Sequence, residues 1–363
     1  MTTITRKIQI YVNESDPDKK KEYWDMLYKW QRIAFQSANY VASHQFIADN
    51  VNDMEYYETG IKRKLDNISK DGTGIFTRSK MGTTYQVLSK KYKGELPAKI
   101  FDAVNSQTVN TYNKERNDVK KGKKSLRSYR ETMPFPVPSV LFNHWNKNGK
   151  NYTFTCGNIP LKTRFGRDRS NNQVIMDRCF KGEYKLCDSK IQLKENKTYF
   201  LLTVKIPDST ASFSDKKLYA FLSIDVPITF SIDDMVYNIG TKEEYLYRRL
   251  QIQESLKRLQ MNLKFAKGGH GRKTKLQAIE RFHEKEKNYI STRLHTYSRM
   301  LINMAAKHNC STIVLMNQKR REKEAKKDEF VLRNWGYYSL KTKIEYKAKI
   351  LNINIIEEDY EKL

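Results

Sequence analysis

Residues 221–230 read Phe-Leu-Ser-Ile-Asp-Val-Pro-Ile-Thr-Phe, an apolar and β-branched run broken by one carboxylate, Asp225. A short apolar run of this composition favours a buried strand over a helix. The segments after it fall in a definite order. A strand over 218–232 is followed by helical periodicity at 242–266 and 275–308, a strand at 312–316, a helix at 334–351 and a strand at 353–356. Strand, helices, strand, helix, strand is the order of an α/β unit, which is the fold expected for residues 216–363. A carboxylate on its first strand is a candidate ligand for a hard divalent cation.

Upstream, residues 4–12 alternate polar and apolar side chains as a strand does, and Asp16-Pro17 breaks the chain. A helix is expected over 19–50, with Trp24, Leu27, Tyr28, Ile33, Phe35 and Tyr40 on its apolar side. Residues 60–84 are polar and read as a loop or short helices, and Leu96-Pro97 opens another helix carrying Ile100, Phe101, Val104, Thr108 and Tyr112. Prolines 134, 136 and 138 forbid helix, so 133–138 is expected to be extended. Residues 140–206 read as strands throughout, including 173–193, with Gly157, Gly166 and Asn171-Asn172 as punctuation. Together with strand 4–12 they suggest a small barrel or sandwich interrupted by a helical insertion. The expected domains are 1–18 and 131–215 for the β-domain, 19–130 for the helical lobe and 216–363 for the α/β unit.

Charge narrows the partner. Lys+Arg number 68 against 41 Asp+Glu, a net +27, interleaved with 23 Tyr and 16 Phe. Such a field attracts polyanions, and aromatics among the cations suit base stacking, so nucleic acid is the expected partner. No run of about eighteen apolar residues suggests a membrane span. The N-terminus lacks a signal-peptide shape, so a cytoplasmic protein is expected. Cys156, Cys179, Cys187 and Cys310 form no CxxC pair, which argues against a structural zinc site. Candidate nucleic-acid contacts are Lys123, Lys124, Arg127, Tyr129 and Arg130, where cations flank a stacking ring. A basic loop with Lys162, Arg164, Arg167 and Arg169 is a second group. Arg272 and Lys273 follow the glycine-rich Gly268-Gly269-His270-Gly271, where backbone could approach a phosphate or simply turn between helices.

Two-metal phosphodiester cleavage needs several converging carboxylates. Asp225 is one. The strand that should offer a second ends Met316-Asn317-Gln318, a thioether and amides. Substitutes would have to come from Asp233, Asp234, Glu322, Glu324, or from Glu357, Glu358 and Asp359, the last group being the best placed. The residues therefore lead to no catalytic set, and to magnesium only as a counterion.

The chain resembles the miniature type V-F CRISPR effectors (Cas twelve-f) and their TnpB relatives. The resemblance lies in Ser223-Ile224-Asp225, Gly268–Arg272, His295-Thr296-Tyr297-Ser298-Arg299, Cys310–Ile313, Asn334–Tyr338 and Ile344–Ala348, with Ser128-Tyr129-Arg130 and Ile175–Tyr184 upstream. It implies a wedge-type β-barrel interrupted by a helical recognition lobe, then an α/β RNase H-like (RuvC) domain. It places Asp225 at the first catalytic Asp, although Val226-Pro227 replaces the usual Leu-Gly, and Met316 at the catalytic Glu. The chain stops before the zinc ribbon and the last Asp of the pattern.

What the resemblance then implies is an effector that needs a guide RNA and binds double-stranded DNA beside a short flanking motif without cutting it. It would act on transcription in the bacterial cytoplasm, at the nucleoid. Activation through an extracytoplasmic-function sigma factor and RNA polymerase is the preferred outcome, with repression by promoter occlusion as the alternative. An active magnesium-dependent endonuclease using substitute acids, or an RNA-binding accessory protein, are the other readings. The helix bearing Asn105, Gln107 and Asn110 corresponds to one near the flanking-motif duplex, and relatives often form a homodimer on one guide.

Overall fold

The computed structural model describes residues 2–59, 80–166, 171–194, 197–207, 213–265, 272–317, 330 and 334–359. The chain divides into two compact units, Thr3–Ile206 and Pro207–Leu363, the latter with Met1–Thr2.

The first unit begins with β1 (Thr2–Val12), then helices α1 (Pro17–Thr59), α2 (Lys80–Lys91) and α3 (Ala98–Lys120). Along α1 the buried stripe is Leu27, Trp30, Ala34, Ala38 and Val41, spaced three to four residues apart. Tyr28 and Tyr40, expected on the apolar side, point outward instead, 47% and 39% exposed. Both rings fall off that stripe.

Strands β2 (Phe135–Val137), β3 (Phe142–Asn148), β4 (Asn151–Cys156), β5 (Ile159–Arg164), β6 (Lys185–Leu186), β7 (Ser189–Lys194) and β8 (Lys197–Ile206) complete an eight-stranded sheet with β1. Its order is β2-β7-β8-β1-β5-β4-β3, with β6 off β8. The expected pairing of the N-terminal strand with this region is present: Gln9 faces Arg164 and Val12 faces Leu161, antiparallel. Strict burial alternation along β4, β5 and β7 fixes which face packs.

Two expectations fail here. The sheet is open rather than a barrel, because its end strands β2 and β3 do not pair with each other. Within the segment read as strand, Asn172–Phe180 is a helix, α4, entered from a left-handed Asn171. Ile175 and Met176 are its buried residues, and so short an apolar run fits either period.

The second unit holds β9 (Ser214–Phe221), β10 (Ile228–Ile232), β11 (Met235–Ile239), a π-helical turn (Glu243–Tyr247), α5 (Arg248–Phe265), α6 (Arg272–Lys307), β12 (Cys310–Asn317), α7 (Tyr337–Leu351) and β13 (Asn354–Asp359). The sheet order is β11-β10-β9-β12-β13. β10 lies between β9 and β11 and is antiparallel to both, whereas β12 runs parallel to both β9 and β13. Leu218, Ala220, Ile313 and Leu315 of the sheet pack with Leu294, Tyr297 and Leu301 of α6 and Leu340 and Ile344 of α7.

The opening stretch is not one strand. β9 ends at Phe221 and β10 starts at Ile228, with a turn between them. Pro227 has no N–H for a ladder. The Ser223 hydroxyl closes the turn, accepting from the Val226 N–H at 3.0 Å and donating to the Val226 carbonyl at 2.8 Å. Behind it, Gly240 has φ +80°, and a Cβ there would lie 2.9 Å from the Tyr297 ring and 3.0 Å from Pro227, so only glycine fits.

Candidate metal-site strands and nucleic-acid interface

Asp225 sits in the β9–β10 turn with its side chain 63% exposed, 2.6 Å from Lys242 Nζ. The hydrogen bond and charge of Asp225 raise the Lys242 pKa, so the ammonium stays charged. Met316 lies half-buried near the end of β12. Leu315 pairs with Ala220 of β9, which brings Met316 beside Phe221, four residues before Asp225. On the other side Met316 is in register with Glu358 of β13.

The remaining acids are placed differently. Asp233 occupies the opposite end of the sheet, 2.9 Å from Lys216 at the start of β9. From Lys216 to Phe221 is about 17 Å at ~3.3 Å per residue, too far to share an ion with Asp225. Glu357 pairs with Lys341 of α7. Glu358 stands two strand spacings from β9, about 10 Å, while paired catalytic metals lie only ~4 Å apart. Glu322, Glu324 and Gln318 lie outside the described residues. Among those described, no three His, Cys, Asp or Glu side chains gather as a metal group. A thioether is a poor donor for magnesium, which takes oxygen. This donor set does not fit a two-magnesium centre.

The basic candidates fall into three situations. At the end of α3 and the segment after it, Lys123, Lys124, Arg127 and Arg130 are exposed. Lys124 reaches Asp118 at 3.0 Å, and Arg127 forks onto Glu115, which holds the Glu115 carboxyl below its ordinary range. Such exposed pairs are worth about 0–1 kcal/mol and exchange readily for phosphate. Tyr129 is anchored rather than free: its backbone N–H donates to Asn39 Oδ1 at 2.8 Å and its carbonyl accepts from Asn39 Nδ2 at 3.0 Å. Its side chain is half-buried, and burial raises its phenol pKa despite the Thr108 and Thr111 hydroxyls.

Lys162 and Arg164 lie within β5 and not in a loop, with Arg164 exposed at its end. Arg167 and Arg169 lie outside the described residues. Arg272 and Lys273 open α6, and their side chains fall outside the described part, as does the glycine-rich stretch before them. Of the three polar residues on α3, Asn110 is exposed and Gln107 half-buried. Asn105 is 1% exposed, accepting from the Thr84 hydroxyl at 2.6 Å and donating to the Met81 carbonyl at 2.9 Å. With both ends of its amide tied to α2, Asn105 is a packing residue and cannot read a base.

Sequence reasoning missed the hub that holds this lobe. Asp49 of α1, its side chain 3% exposed, accepts from Lys80 Nζ of α2 at 2.6 Å, and from Tyr112 OH at 2.8 Å and Arg116 at 2.9 Å on α3. Burial alone would raise its pKa; the donors outweigh burial and hold it below the usual carboxylate value. A lone Asp in a helix interior gives no such signal in sequence.

Fold and surface together define a strongly basic, mixed α+β protein of two units with a helical lobe and an exposed cationic cluster. No family model matches the chain. The CRISPR-associated endodeoxyribonuclease Cas12f1 of Sulfoacidibacillus thermotolerans is 26% identical over 321 residues, 80% of this chain and 74% of that protein. Cas12f1 of Syntrophomonas palmitatica is 38% identical over 109 residues, 30% of this chain and 21% of that one. The fold matches a cryo-EM structure of a Cas12f1–sgRNA–target DNA complex at TM-score 0.66 and 14% identity, covering 98% of this chain and 89% of that one. The chain is homologous to Cas12f1 over most of its length and shares the fold of that complex's protein.

Proposed function

We propose that this protein binds double-stranded DNA under the direction of a guide RNA and does not cut it. The Cas12f1 homology, the fold of a Cas12f1–sgRNA–target DNA complex and the +27 charge support guide RNA and DNA as partners. In such an effector, base pairing with the guide reads sequence while the protein reads a short flanking motif and duplex shape. The second unit's strand order, β11-β10-β9-β12-β13 with β12 parallel to its neighbours, fits the RNase H-like arrangement. Residues 19–130 would be the recognition lobe between the two parts of a wedge domain.

The observation that carries the loss of cutting is Met316, a thioether at the strand end nearest Asp225, whose own carboxylate is taken by Lys242. A guided binder that leaves DNA intact acts by occupancy. Of the outcomes open to it, activation by recruiting an extracytoplasmic-function sigma factor and RNA polymerase accords best with the type V-F affiliation, and promoter occlusion is the alternative. One observation favours the cutting alternative, the register of Glu358 beside Met316.

One experiment separates these readings. The full chain, purified with its co-purifying RNA, is incubated with guide-matched and scrambled duplexes in magnesium. Matched DNA should be retained and stay intact, with retention falling steeply as salt rises. Magnesium-dependent cleavage abolished by Asp225→Ala or Glu358→Gln would overturn the inactive reading, and equal retention of both duplexes would overturn guidance. A reporter with the matched site upstream or across the promoter then distinguishes activation from occlusion.

A further inference from the structure

A sheet edge exposes unpaired backbone N–H and C=O groups, and proteins ordinarily blunt it with lysine, proline, bulges or covering elements. Among the described residues the two sheets end on β2, β3, β11 and β13, with the two-residue β6 off β8. β2 carries Pro136 between Pro134 and Pro138. β3 has Lys147, a register irregularity between Asn143 and Asn146, and a left-handed His144. β13 bears Glu357, Glu358 and Asp359.

Among the described residues β11 has none of these devices. Met-Val-Tyr-Asn-Ile contains no charge, no proline and no irregularity, in a chain with 68 Lys+Arg. Met235 and Val236 are 59% and 67% exposed. Asp233 and Asp234, at φ 48° and 64°, form the two-residue turn joining β10 to β11, which makes Ile232–Met235 a hydrogen-bonded pair. Alternation then turns the main-chain groups of Val236 and Asn238 to the outer edge, where among the described residues β11 has no strand partner.

We propose that β11 is a docking edge for an extended segment of another protein, which adds as a sixth strand beside Val236 and Asn238. The charge of the hairpin selects the occupant. Residues 228–244 hold Asp233, Asp234, Glu243 and Glu244 against Lys242 alone. Asp233 and Glu244 are engaged by Lys216 and Arg293, while Asp234 and Glu243 are exposed at the two ends of β11. Nucleic acid is repelled there. A second copy would bring two acidic hairpins and two +27 chains together. An apolar, alternating strand flanked by Lys or Arg is complementary in backbone, side chains and charge.

The probe is a capped peptide, Lys-Val-Thr-Val-Thr-Val-Lys, labelled at one end and titrated by fluorescence anisotropy into the full chain with its RNA. Binding should weaken about tenfold or more in Val236→Pro, which removes an outward N–H, and the same peptide with Glu in place of Lys should bind more weakly. The variant's melting temperature and DNA retention should match the parent's, since the edge lies outside the proposed nucleic-acid contacts. Absence of binding, equal binding to Val236→Pro, or displacement by duplex DNA would overturn the proposal. So would sedimentation showing self-association lost in Val236→Pro, which would assign the edge to a second copy.

Discussion

Asp49→Ala should loosen the helical lobe more than any single cation substitution on its surface. The carboxylate joins three helices through Lys80, Tyr112 and Arg116. Removing one partner of a buried ionic group costs ~3–5 kcal/mol, because the charges left behind lose their compensation. Here the side chains left behind are 23% exposed for Lys80 and 41% for Arg116, so both can turn partly to water. That places the expected loss near the lower end, about 3 kcal/mol. With a urea slope of ~2–3 kcal/mol/M for a unit of this size, the midpoint should fall by about 1–1.5 M. Tyr112→Phe is the internal control: it deletes one neutral donor and should cost only ~1 kcal/mol. Urea unfolding followed by far-ultraviolet circular dichroism reads both. A loss below ~1 kcal/mol for Asp49→Ala, or equal losses in the two variants, would refute the hub.

Other outcomes follow from the same geometry. Burial first, and Lys80 second, hold the His44 pKa below its ordinary value, so its folded pKa lies under the unfolded ~6.5. That contribution is complete above the unfolded value and lost as pH falls through the folded one; thermal melts should drop between pH 7 and 5, and His44→Phe should flatten the drop. Asp49 has the same sign in a lower window, its contribution present above ~3.9 and lost as pH falls through its depressed folded pKa. The double variant Lys123→Ala, Arg130→Ala should weaken matched and scrambled duplexes alike and reduce the salt slope by about 0.9 per lost phosphate contact. Met316→Glu should lower the melting temperature without magnesium and make it respond to magnesium, whereas the parent should show no such response.

The parts of the fold legible in sequence were those where one pattern allowed one answer. Residues 4–12 alternate apart from Arg6, and they pair with β5 of the region expected to take them. Cys310–Asn317 has β-branched residues in a run too short for a helix, and it is the central parallel strand β12. Misreadings arose where a short segment satisfied two patterns. Residues 218–232 look like one strand because the turn between β9 and β10 is made of Leu222, Ile224, Val226 and Pro227, apolar like the strands it separates. Asp233-Asp234 between two alternating five-residue runs was a usable hairpin signal. The site was less legible than the fold. Asp225–Lys242 and Met316–Glu358 are pairings across 17 and 42 residues that depend on register, and Asn105 has the composition of a reading residue but the burial of a packing one.

Positions 225 and 316, at neighbouring strand ends, face different physical demands. Asp225 lies in a turn with its side chain mostly in solvent, so its charge costs little there, and Lys242 supplies a partner without ordering anything buried. Position 316 is half-buried between β9 and β13, in register with Glu358. A second carboxylate about 5 Å from Glu358 would be repelled by ~3 kcal/mol at an effective dielectric of about 20, unless a cation lay between them. Methionine avoids that repulsion and fills the gap with an adaptable apolar side chain. A carboxylate is therefore tolerated at the solvent-facing turn and an uncharged side chain is favoured on the strand beside Glu358, which is the arrangement this chain has.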